Sequence, residues 1–142
     1  MTNTGWPVTY RGAVYPWHCD HMGHMNVMWY VGKFDEATWN LFALGGISPA
    51  FLRAHNRGLV AVKQEISYQA ELLAGDVLEV RSQMRQVGDR RVVFYHEMRN
   101  GQSGEVCAGT ELTGVYIDRE RRKSCPFPPE IAESLRALID VS

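Results

Sequence analysis

From Val27 to Leu44 the chain is apolar on almost every side of a helix. Val27, Tyr30, Val31, Phe34, Ala37 and Leu41 recur at three- and four-residue steps, the spacing of a buried stripe. Lys33, Glu36 and Asn40 leave only a narrow polar edge, while Trp29 and Trp39 add bulk elsewhere. A helix with so little polar surface has to be wrapped by other structure. Asn26 is placed to cap its start, because its side chain can accept from an early helical N–H. Gly45-Gly46 stops it.

The rest of the chain supplies the wrapping. Val8 to Tyr15 alternates as a first strand, with Val8, Tyr10, Gly12 and Val14 on one face, and Pro16 ends it. Ser48 to Asn56 reads as a short helix, with Ser48 as cap and Pro49 in the first helical position. From Gly58 the period changes to two. Val60, Val62, Gln64, Ile66, Tyr68, Ala70 and Leu72 share one face of a long, half-buried strand. Gly75-Asp76, Gly88-Asp89 and Asn100-Gly101 are turns that separate the strands Val77–Val87, Arg90–Arg99 and Glu105–Ile117. A charged loop from Asp118 to Cys125 and a closing helix after Pro126, Pro128 and Pro129 complete the chain. The expectation is one strand, the long helix, and four further strands in meander. That is an α+β layering, with a curved antiparallel sheet around the helix. One sheet edge and part of the helix stay uncovered, which favours a homodimer or homotetramer.

At 142 residues the chain reads as one domain spanning 1–142, long enough to bury a core without staples. A net charge of −1 leaves no general nucleic-acid binder. No apolar run approaches the roughly 20 residues of a membrane span. Met1 to Pro7 lacks the basic and apolar regions of a secretory leader. Cys19, Cys107 and Cys125, odd in number and far apart, fit reduced thiols and a cytoplasmic location.

Between the first strand and the long helix lies Trp17-His18-Cys19-Asp20-His21-Met22-Gly23-His24-Met25-Asn26. A helix start offers free backbone N–H groups aimed at one point, and a dense polar cluster beside it suits a reaction site better than a core. Zinc would need about four ligands at constrained spacing. The histidines fall at three-residue steps with no second Cys or His pair beside them, so no metal is expected.

The pattern Asp20-x-x-Gly23-His24-Met25-Asn26-x-x-x-Tyr30 resembles the hotdog-fold acyl-CoA thioesterases, in the branch containing 4-hydroxybenzoyl-CoA thioesterase. It is also similar to the motif of acyl-ACP thioesterases, with Asn26 in the place of the first of two asparagines and Val27 replacing the second. Downstream, Glu65-x-x-Tyr68 and Gly75-Asp76 before Val77-Leu78 match as well. The resemblance implies a hotdog fold and hydrolysis of an acyl-CoA thioester to a free acid and coenzyme A. Coenzyme A enters as part of the substrate, and no separate cofactor is implied.

The resemblance assigns Asp20 as the nucleophile or general base. Thioester chemistry needs such a group facing oxyanion donors. The backbone N–H near Val27 is the expected donor, and Asn26 orients the carboxylate or water. Gly23 lets the substrate approach the backbone. His24 is a candidate for orienting the acyl group. Trp17 and Tyr30, with Trp29 and Tyr68, would line an aromatic acyl pocket, which also suits a trimethylammonium group. Gln64 is the one polar residue on its apolar strand face and needs a partner. Arg90 and Arg91 are candidates for coenzyme A phosphates, since the guanidinium fork binds phosphate bidentately. Glu36 is the helix carboxylate to compare with a second hotdog branch, whose catalytic acid lies on the central helix. A hydratase or dehydratase on the same fold, and a non-catalytic acyl-CoA-binding subunit, are the competing functions.

Overall fold

The computed structural model describes residues 5–139. Met1 to Thr4 of the N-terminal stretch, and the last three positions of the 1–142 span, lie outside them. The elements are β1 (Val8–Ala13), a 3₁₀ turn (Pro16–His18), α1 (Val27–Leu44), α2 (Pro49–His55), β2 (Arg57–Tyr68), β3 (Val77–Val87), β4 (Arg91–Asn100), β5 (Val106–Asp118), β6 (Lys123–Ser124) and α3 (Pro129–Ala137). The fold is an α+β hotdog, a curled antiparallel sheet around α1. No helix among the described residues is long and apolar enough to cross a membrane.

The helix caps follow the sequence. Asn26 Oδ1 accepts from the Met28 N–H at 2.9 Å, and Ser48 Oγ accepts from the Phe51 N–H at 3.1 Å. α1 buries Tyr30, Phe34, Ala37 and Leu41 against the sheet. Around them stand Val80, Met84, Phe94, Met98, Ala108 and Leu112. Fully burying a large apolar side chain contributes on the order of 2 kcal/mol, so this interface carries much of the fold.

Three expectations need correction. The strands after α1 do not form a four-strand meander. Sheet order is β1-β3-β4-β5-β2, so only β3, β4 and β5 follow one another, and β2 lies on the far edge beside β5. The chain must therefore cross from one edge towards the other between Tyr68 and Val77, passing the N-terminus of α1. There Met25 N–H donates to the Leu72 carbonyl at 2.8 Å and Gly75 N–H to that of Val14 at 2.8 Å.

Second, β2 is not half-buried. Val60 and Val62 are 40% and 55% exposed, and Gln64 and Tyr68 are exposed as well. A register shift between Ala61 and Lys63 also moves Val60 to the face opposite Gln64 and Tyr68. Third, a register shift between Val8 and Tyr10 in β1 buries Thr9 and exposes Val8. Each extra residue reverses the alternation that a period of two predicts.

The core holds one polar chain. His96 is fully buried on β4. Its Nε2 meets Thr38 Oγ1 at 2.8 Å and its Nδ1 meets Ser82 Oγ at 2.5 Å. Ser82 Oγ in turn lies 2.7 Å from Thr9 Oγ1. Burial pushes the His96 pKa down to about 3, so the ring is neutral.

Candidate active site

The segment from Asp20 to Asn26 is a closed loop. Cys19 and Met25 pair as an isolated antiparallel bridge. Inside it, Gly23 N–H donates to the Asp20 carbonyl at 3.0 Å, and Asp20 N–H to the His24 carbonyl at 3.2 Å. Gly23 has φ +89°, and a Cβ there would meet nothing within 4 Å. Glycine is demanded by the backbone conformation rather than by crowding.

Two donors hold the Asp20 carboxylate. Met22 N–H bonds Oδ1 at 2.8 Å and Asn26 Nδ2 bonds Oδ2 at 3.1 Å. The Met22 bond above all, aided by Asn26, His24 and His21, keeps the Asp20 pKa below its ordinary value, against an opposing effect of desolvation. Asn26 serves both partners, since its other amide atom caps α1. Asn26 N–H bonds the His18 carbonyl at 2.9 Å, so the cap is itself fixed.

The first turn of α1 opens onto a cavity of about 270 Å³, lined by His24, Met25, Val27, Tyr30, Tyr68, Gln69, Ala70 and Glu71. Met28 N–H is taken by the Asn26 side chain and Trp29 N–H reaches the Asn26 carbonyl. The Val27 N–H has no hydrogen-bond partner among the described residues. A free N–H at a helix start is an anion-directed donor. Tyr30 and Tyr68 form an edge-to-face pair at 5.2 Å, and Tyr30 donates to the Ala70 carbonyl at 3.3 Å. Burial, then the nearby Cys107, pushes the Tyr30 pKa up to about 12, so the phenol stays protonated. His24 Nε2 faces Glu71 at 3.7 Å.

The structure thus gathers Asn26, Val27, Gly23, His24 and Tyr30 with Asp20 at one helix start. Neither Asp20 nor Asn26 itself lines the cavity; one hydrogen bond joins their side chains, and Asn26 is followed directly by Val27, which does line it. Other candidates fall elsewhere. Trp17 is largely exposed and stacks flat on Tyr15 at 4.7 Å, outside the cavity. Gln64 lies on the helix side of β2, paired with Leu112, away from the cavity lining. Arg90 and Arg91 are at the β3–β4 hairpin, the opposite end of the sheet from Asp20. Arg90 there donates to the Ser124 carbonyl and hydroxyl at 2.9 and 3.2 Å.

His18 is buried and structural, with Nδ1 accepting from Tyr15 N–H at 3.0 Å and its ring 4.5 Å from that of Trp29. Burial, then Lys33, lowers its pKa. No three or more His, Cys, Asp or Glu side chains among the described residues converge as a metal site would require. Glu36 does not face the cleft beside β2; that position belongs to Asp35. Missing from the sequence reading were Gln69 and Glu71, which line the cavity because the crossing segment passes the helix start. No local signal marks them.

The family model for the thioesterase-like superfamily matches residues 14–135. Long-chain acyl-CoA thioesterase FadM of Escherichia coli is 26% identical over 123 residues, 87% of this chain and 92% of that protein. Betainyl-CoA thioesterase of Pseudomonas aeruginosa is 26% identical over 132 residues, 93% and 83% of the two chains. A Staphylococcus aureus protein solved in complex with CoA superposes with a TM-score of 0.90 at 18% identity, covering 96% of this chain and 87% of that one.

Proposed function

This chain belongs to the thioesterase-like superfamily, and from that premise we propose that it hydrolyses an acyl-CoA thioester to a free acid and coenzyme A. The relatives acting on long-chain and betainyl thioesters support the reaction class. The observation that carries the mechanism is the pairing of an unbonded Val27 N–H with an Asp20 carboxylate fixed through Asn26.

In this reading the thioester carbonyl lies with its oxygen on the Val27 N–H. Asp20 attacks the carbonyl carbon, the C–S bond breaks, and the thiolate leaves to take a proton from water. Water then opens the acyl-aspartyl anhydride to the free acid and a protonated Asp20, whose proton neutralises the hydroxide left when the thiolate was protonated, so the carboxylate is restored. The lowered pKa of Asp20 keeps the carboxylate ionised, as attack on the carbonyl carbon requires. Oxyanion stabilisation by a fixed donor is worth about 3 kcal/mol. Met25, Val27, Tyr30 and Tyr68 give the acyl group an apolar and aromatic bed.

The site is completed by a second copy of the chain. One edge of β2 pairs with β5, and the other has no partner strand among the described residues. Val60, Val62 and Tyr68 on this strand, with Val27, Met28 and Val31 on α1, are exposed. An unpaired twelve-residue edge with apolar faces suits antiparallel pairing with its own copy about a two-fold axis.

The test is thiol release across a panel of acyl-CoAs. Asp20→Asn is expected to lose at least about 100-fold in kcat with its thermal melt retained. Full activity in that variant would remove the mechanism.

A further inference from the structure

We propose that Lys33 is a positioning residue for Asp20: its buried ammonium, seated on the Tyr10 phenol, fixes the His18 imidazole and, through the His18 carbonyl and Asn26, the reacting carboxylate. The effect on turnover rests on the acyl-CoA reading; the effect on the ring does not.

The apolar spacing of α1 sets Lys33 on a polar edge, yet the fold leaves it only 4% exposed. Its Nζ donates to Tyr10 Oη at 3.3 Å and stands 5.3 Å from the centre of the Tyr10 ring. Gly12 makes room for that phenol, since a Cβ there would meet Tyr10 Oη at 2.7 Å. Among the described residues no carboxylate lies within ion-pair distance of Lys33. Taking an ammonium out of water without a counter-ion is costly, and an apolar side chain of the same length would pack as well. The charge is therefore explained by what it acts on rather than by packing.

It acts on His18. The ring is buried among those of Tyr15, Trp17 and Trp29, with centroids 5.9, 5.8 and 4.5 Å away. Lys33, from α1, is the charged group that faces it. His18 Nδ1 accepts from Tyr15 N–H at 3.0 Å, which a doubly protonated ring cannot do. Burial, then the Lys33 charge, opposes that second proton. The His18 carbonyl accepts Asn26 N–H at 2.9 Å, and Asn26 Nδ2 donates to Asp20 Oδ2 at 3.1 Å. A charged ring would set Nδ1–H against Tyr15 N–H beside an ammonium. The ring would have to turn, and the carbonyl that holds Asn26 would move with it. Lys33 is not among the groups that shift Asp20 itself, so its influence on the carboxylate runs through His18.

Lys33→Met removes the charge and keeps an apolar stem. Its thermal melt is expected at or above that of wild type, because an unpaired buried charge is lost. In thiol release, its kcat relative to wild type should fall at least about threefold between about pH 8 and about pH 5.5, where a histidine of ordinary pKa is mostly protonated. KM should stay near wild type. A lower melt with kcat reduced equally at every pH would mean that Lys33 only packs, and would overturn the role. Lys33→Met/His18→Asn is the rescue. The Asn Oδ1 stands where Nδ1 accepts and takes no proton, so the extra acid loss should vanish; an acid loss that persists overturns the path through His18. Nitrogen NMR reads the ring without turnover, with the His18 signal assigned by its absence from His18→Asn. That signal should titrate at higher pH in Lys33→Met than in wild type, and an unmoved titration overturns the proposal whatever the kinetics. A wild type that releases no thiol would instead sink the hydrolase reading, and the ring titration would then decide alone whether Lys33 fixes His18.

Discussion

Asn26 donates to Asp20 Oδ2 at 3.1 Å with one end of its amide and accepts the Met28 N–H at 2.9 Å with the other. One side chain thus joins the start of α1 to the carboxylate, so capping and chemistry can be separated by substitution.

Asn26→Asp keeps an acceptor for Met28 but sets a second carboxylate against Asp20. Like charges raise a carboxyl pKa, so the acid limb of kcat/KM moves to higher pH and activity at neutral pH falls about tenfold or more. The melt stays near wild type, because Asp caps as well as Asn. Asn26→Ala loses the cap, about 1 kcal/mol, as well as the Asp20 contact. Thiol-release pH profiles beside thermal melts check both; an unshifted profile in Asn26→Asp would show that Asn26 is only a cap.

Gly23 holds φ +89° with free space where a Cβ would stand. Gly23→Ala therefore costs only backbone strain, about 1–2 kcal/mol. That strain acts on the turn that brings Met22 N–H onto Asp20. Denaturant melts should show a small destabilisation, with a larger fractional loss in kcat. A variant as stable and active as wild type would mean that the turn tolerates another geometry.

His96 is neutral in the fold, with a pKa near 3 against an ordinary 6.5. The depressed value means the unfolded chain binds a proton that the folded one does not. Its contribution is fully present above pH 6.5 and is lost as pH falls towards 3, at up to about 1.4 kcal/mol per pH unit. Asp20 titrates below its ordinary value, so acid inactivation should follow unfolding rather than protonation of Asp20. Melts between pH 7 and pH 4, compared with His96→Gln, check this. A wild-type stability flat across that range would contradict the assignment.

How much of this was visible in the sequence depends on how far apart the interacting residues lie. Asp20, Gly23, His24, Asn26 and Val27 fall within one short loop and one helix start, and the cap residue and apolar stripe of α1 fix their arrangement locally. The limits of α1 were legible for the same reason, and β3 runs Val77–Val87 as expected, but β2 ends at Tyr68, so Ala70 and Leu72 fall in the crossing segment rather than on the strand. What periodicity cannot display is an inserted residue or a crossing. The bulge after Val8 buries Thr9, whose hydroxyl then meets Ser82 in the core. The crossing after Tyr68 carries Gln69 and Glu71 to the cavity. The apolar alternation of β2 looked like burial against α1, but Val60 and Val62 are exposed in the chain alone. Apolar alternation marks a face suited to being covered and does not say that the same chain covers it.

That difference yields the last prediction. Val60 and Val62 contribute little to the fold of one chain because they are exposed in it. Val60→Glu/Val62→Glu should therefore leave the thermal melt of the folded chain nearly unchanged, within about 0.5 kcal/mol per site. In a β2-paired dimer the same substitutions bring like charges together across the two-fold axis, where opposed charges destabilise pairing. Light scattering should show a multiple of the 16.1 kDa chain for wild type and the single-chain mass for the variant. Loss of thiol release should accompany dissociation, because the cavity beside Tyr68 then lacks its second wall. A wild type that is monomeric, or a variant that stays associated, would place the interface elsewhere.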